Sequence, residues 1–201
     1  MTTANIFDLS ASMQAKGFKY ATMFNGSTPF GPFQVKRTGK KPKGSLFFSK
    51  IREFYINEYD KSWINEDQKV RMDEDGDPLV VGLDWYNFVT TDGYNDDYYS
   101  ECHVMFAKFP DKELVKHTDP RFKENGPFRL DLSEFIAVPH WERLTNSFSG
   151  IHVDHRLGSD LDLNSEVFGN WDVDTVAIWN AYAFTDVCVF RNSGTPWTYE
   201  V

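Results

Sequence analysis

Apolar positions along this chain recur with two different periods. In residues 5–15, Ile6, Leu9 and Met13 fall at helical spacing and Gly17 ends the run, which predicts a short helix. Residues 18–24 read as a strand. Residues 25–44 hold Gly26, Pro29, Gly31, Pro32, Gly39, Pro42 and Gly44. Breakers at that density predict loops around one short strand at 33–37. Residues 45–59 fit either period. Phe47, Ile51, Phe54 and Tyr55 share a helical face and Ser45 offers a cap, so the helix is the favoured reading, although Phe54-Tyr55-Ile56 also suits a strand.

The middle of the chain predicts hairpins. Residues 69–72, the turn Asp73-Glu74-Asp75-Gly76-Asp77-Pro78 and residues 79–83 form the first. Residues 83–91, a turn around Asp92-Gly93 and residues 98–109 form the second. Asp-Gly between apolar runs is a hairpin signal because glycine supplies the positive φ such turns need. Further strands are expected at 128–132, 150–157, 173–179 and 182–191. Short strands separated by turn signals predict a mainly β, antiparallel fold, sandwich or barrel-like, with one or two short helices. No composition break interrupts residues 1–201, so a single β-rich domain is expected.

Composition sharpens this picture. With 18 Phe, 9 Tyr and 6 Trp, the chain can fill a β core with rings or present some of them as stacking platforms. The net charge of −9 argues against general affinity for nucleic acid or anionic membranes. Residues 60–101 carry 12 acidic and 3 basic side chains and account for all of it. Lys36, Arg37, Lys40, Lys41 and Lys43 form a short basic run elsewhere, and the opposite signs suit contact between copies or with a protein partner. Cys102 and Cys188 lie among apolar neighbours and read as buried thiols, with a bridge left open if their strands are adjacent. The first residues lack the pattern of a secretory leader, and no apolar stretch is long enough for a membrane helix. An intracellular or virion setting is therefore expected.

Candidate chemistry gathers at His152-Val153-Asp154-His155. On a strand His152 and Asp154 point to one face. The pair is similar to the opening of the facial triad of non-haem iron oxygenases, which adds a second histidine downstream. Here His155 is the last histidine, so the partner must come from upstream, from His140, His117 or His103. The run is also similar to the His-x-His-x-Asp-His of metallo-β-lactamase-like hydrolases, with Gly150 in place of the first histidine. Asp73, Asp75, Asp77 and Asp84 have the spacing of a calcium loop, but Pro78 stands where that loop needs glycine, which favours a plain turn. Asp160, Asp162, Asp172 and Asp174 form a third acidic set. No nucleophile elbow, phosphate-binding loop or dinucleotide fingerprint occurs.

Three function classes follow. The first is a non-catalytic structural or assembly protein, such as a virus-particle component, that self-associates or binds protein partners through the basic run. The second is a carbohydrate- or ligand-binding β-sandwich using Trp171, Trp179, Tyr182 and Trp197, with a glycan as ligand. The third is a metal-dependent enzyme built on His152, Asp154 and a distant histidine, with His155 also a candidate ligand. The first leads, and it calls for no cofactor.

Overall fold

The computed structural model describes residues 2–26, 41–42, 44–55, 70–86, 96–133, 136–154, 165–168, 171 and 174–201. The fold is mainly β with antiparallel sheets and short helices, as the pattern predicts. The chain forms two compact units. Unit 1 holds Met1–Thr28, Ser49–Lys108 and Asp186–Val201, and unit 2 holds Pro29–Phe48 and Phe109–Thr185. The expected strand at 33–37 and the turn around Asp92-Gly93 lie outside the described residues.

In unit 1, helix α1 (Ile6–Ala15) begins at Asn5, whose Oδ1 accepts from the Asp8 N–H at 2.9 Å and so satisfies one of the helix's free donors. Its apolar face buries Ile6, Leu9 and Met13, the positions the helical period picked out, together with Phe7. Phe7 meets Tyr86 edge-on at 4.9 Å, and Tyr86 meets Trp197 at 4.8 Å. Gly17 takes a φ of 84° just after the helix, which a residue with a Cβ would resist. Strand β1 (Thr3–Asn5) pairs with β13 (Thr198–Glu200). Strand β2 (Tyr20–Phe24) lies between β3 (Leu46–Tyr55) and β6 (His103–Lys108), and β6 pairs onward with β12 (Asp186–Phe190). Strand β3 also pairs with β5 (Pro78–Leu83), which carries β4 (Arg71–Met72) as the first predicted hairpin.

Two expectations are corrected here. Residues 46–55 are a strand, not a helix, because their backbone finds ladder partners in β2 and β5 that outweigh a marginal helical face. The second hairpin is not formed as expected: residues 84–86 are helical, and Asp96–Ser100 is the short helix α2. Leu83 and Tyr86, both fully buried, stand three apart, which is helical spacing. Ser49 Oγ accepts from the Trp85 N–H at 2.7 Å and holds the start of that turn. The cysteines are free thiols, since Cys188 stands opposite Phe106 rather than Cys102.

In unit 2, β11 (Thr175–Ile178) pairs with β10 (Gly150–Val153), and β10 pairs with β7 (Leu114–Lys116). The β10–β11 pair is antiparallel, while β7 runs parallel to β10, a departure from the all-antiparallel expectation. Helix α3 (Trp141–Ser147) and the turn α4 (Ser165–Phe168) pack Trp141, Leu144, Val167 and Phe168 into a core with Phe122 and Trp171. A separate two-stranded ribbon, β8 (Arg129–Ser133) with β9 (Ile136–Pro139), completes the unit. Among the described residues no helix is long and apolar enough to cross a membrane.

Candidate functional site

The end of strand β10 in unit 2 carries the densest chemistry. The ladder pairs His152 with Val176 and Val153 with Thr175. Asp154 and Asp174 are the next residues beyond that last pair. Side chains two apart on a strand share a face, as do cross-strand partners. His152, Asp154 and Asp174 therefore converge, and one ligand atom from each lies within 4.8 Å of the others. His152 Nε2 and Asp174 Oδ1 are 2.7 Å apart. The Asp174 side chain is fully buried, and that of His152 is 18% exposed.

His117, just past β7, extends the parallel ladder: its N–H donates to the His152 carbonyl at 2.9 Å. Its Nδ1 accepts from the Asp154 N–H at 3.2 Å, so the ring proton of neutral His117 sits on Nε2. Burial holds the His117 pKa below the usual histidine value, opposed by the nearby Asp154 carboxylate. Of the three upstream histidines, His117 is the one placed beside the pair. It serves there as a backbone clamp on Asp154. His140 precedes α3 and makes no side-chain cap, and His103 Nδ1 accepts from the Asn192 N–H at 2.9 Å in unit 1. There His103 lines an open cleft of about 590 Å³ with Phe24, Arg191, Asn192 and Glu200. His155 lies outside the described residues.

Asp174 is the residue the sequence reading did not single out as a ligand. Its only signal was membership of a scattered acidic set. The β10–β11 pairing that brings it near Asp154 is long-range.

The calcium-like spacing resolves as a turn. Asp73 Oδ1 accepts from the N–H groups of Asp75 and Asp77, at 3.0 and 2.8 Å, closing the β4–β5 hairpin. Asp84, buried, pairs with Arg52 instead of joining that set.

The stacking platform is corrected. Trp171, Trp179 and Trp197 are core residues, buried by their own units, and Trp179 Nε1 donates to the Phe148 carbonyl at 2.6 Å. Rings enclosed in that way offer no face to a sugar. Tyr182, at 98% exposure, is the one member of that set on the surface. Of the basic run, Lys36, Arg37, Lys40 and Lys43 lie outside the described residues. Lys41 Nζ sits 6.0 Å from the centre of the Trp171 ring.

The ribbon β8–β9 presents a second surface. Leu130, Leu132 and Ile136 are 40%, 59% and 49% exposed. Leu130 and Leu132 alternate with Arg129 and Asp131, and Leu130 faces Val138 across the ladder. Among the described residues β8 pairs with β9 alone. No family model, curated protein or solved structure matches this chain.

Proposed function

We propose that this chain is an assembly protein in which two copies meet along the open edge of β8. The supporting observation is the ribbon itself: a two-stranded sheet with Leu130, Leu132 and Ile136 turned to solvent. Isolated ribbons are marginal in water, and exposed apolar edges are templates for pairing with another strand. Covering the three side chains contributes about 1 kcal/mol each.

Charge selects a second copy as the occupant. Arg129 and Asp131 flank Leu130, and Arg129 Nε bonds Asp131 Oδ1 at 2.7 Å within the strand. An antiparallel, two-fold pairing centred on Leu130 sets Arg129 opposite the partner's Asp131, and the reverse pair forms by symmetry. One contact within a strand becomes two across it. The setting proposed with this reading is a larger complex, inside a cell or in a virus particle.

The test is a charge swap read by solution mass. Arg129→Asp and Asp131→Arg each place like charges opposite one another and weaken association. The double variant restores complementarity and restores the mass. Association indifferent to all three variants would overturn the reading.

A further inference from the structure

The cluster at the end of β10 is not explained by association. His152 Nε2 lies 2.7 Å from Oδ1 of the buried Asp174, and an arriving cation displaces the proton between them. Asp154 and Asp174 lie one residue beyond the last pair of the β10–β11 ladder, with ligand atoms within 4.8 Å, and carboxylates that close repel. The repulsion is large where one of the two side chains is fully out of water, as that of Asp174 is. A cation between the carboxylates turns the repulsion into attraction.

We propose that His152, Asp154 and Asp174 form a binding site for a first-row divalent cation, of the Mn²⁺ or Zn²⁺ class. The atoms are close enough. Metal–nitrogen and metal–oxygen bonds of about 2.1 Å set opposed ligands about 4.2 Å apart and adjacent ones about 3 Å apart. The three donor atoms lie within 4.8 Å of one another, so a pair at that limit closes by about 0.6 Å onto opposed positions and by more onto adjacent ones. The donor set decides the class. One imidazole with two carboxylates suits Mn²⁺, Fe²⁺ or Zn²⁺, whereas Ca²⁺ takes six to eight oxygens.

The shell around the ligands fits the same role. His152 sits on β10, while Asp154 and Asp174 stand one residue beyond the paired ends of β10 and β11, held close by the Val153–Thr175 pair. The His117 ring, with Nδ1 engaged by the Asp154 N–H, fixes the backbone that carries that carboxylate. With its proton on Nε2, His117 orients the site rather than ligating the ion. Three protein ligands leave coordination positions for water or a further ligand.

The test uses the full chain, stripped with EDTA and titrated with Zn²⁺ by calorimetry and with Mn²⁺ by electron paramagnetic resonance. Saturable binding of one ion per chain is expected. His152→Ala and Asp154→Asn should each weaken it by about 100-fold. Asp154 is half-buried and Asp154→Asn keeps its shape, so this variant decides the matter if His152→Ala fails to fold. Absence of one-to-one binding by the wild-type chain would overturn the proposal. So would undiminished affinity in a folded Asp154→Asn variant.

Discussion

Replacing Gly150 with alanine tests whether β10 is clamped as tightly as its geometry requires. Gly150 opens the strand, with β11 on one side and β7 on the other. A Cβ built there would lie 2.6 Å from the Ala177 carbonyl oxygen, 2.7 Å from Ile178 Cδ1 and 2.8 Å from Leu114 Cδ2. Ordinary contact begins at 3.4 Å, so the nearest approach is short by about 0.8 Å. The two side-chain methyls can rotate away, but the carbonyl is part of the sheet and cannot. β10 must move off β11, lengthening ladder bonds along the pair that carries His152. Overpacking of this kind costs about 2 kcal/mol, a lowering of Tm by about 4–8 °C for a chain of this length. Urea denaturation of Gly150→Ala beside the wild type measures it. A midpoint unchanged within the error of the method would refute the clamp, and with it the rigidity assumed for the cluster.

Tyr199 is fully buried with a hydroxyl that has no hydrogen-bond partner among the described residues, and burial pushes its pKa well above the usual tyrosine value. Tyr199→Phe removes an unpaired polar group and should stabilise the chain by about 1 kcal/mol in urea melts. A loss of stability would show that the hydroxyl is partnered. The Asp77 N–H bonded to Asp73 holds the Asp73 carboxyl below the usual carboxylate range, with Tyr55 adding to it. Its stabilising effect on the β4–β5 turn is therefore full above the unfolded value of about 3.9 and fades as pH falls through the lower folded value. Asp73→Ala should be less stable than wild type at neutral pH, and the gap should close on acidification. A gap constant from pH 6 down to pH 2 would count against the turn bonds.

Local signals were legible where one segment decides its own structure. The Ile6, Leu9, Met13 spacing marked α1, and Asp73 to Pro78 marked the turn between β4 and β5. They failed where distant partners decide. Residues 46–55 carry a helical face, but β2 and β5 claim their backbone. The aromatic load comes from composition, which does not record direction, so core and surface stayed open for Trp171, Trp179 and Trp197, and all three are buried. The candidate ion site divides the same way. His152 and Asp154 were visible as a strand-face pair, whereas Asp174 and His117 join through the β11 and β7 pairings. The ribbon surface was half visible. Arg129-Leu130-Asp131-Leu132 alternates as a strand should, and nothing local says that its apolar side faces water.

The central claim is association along β8, and solution mass by light scattering after size exclusion tests it most directly. The wild-type chain, of 23.3 kDa, should elute with at least twice that mass at micromolar concentration and low salt. Leu132→Lys, which puts a charge on the most exposed apolar position of the ribbon, should elute as a monomer. A wild-type chain monomeric across the concentration range would contradict the account, as would an oligomer whose mass Leu132→Lys leaves unchanged.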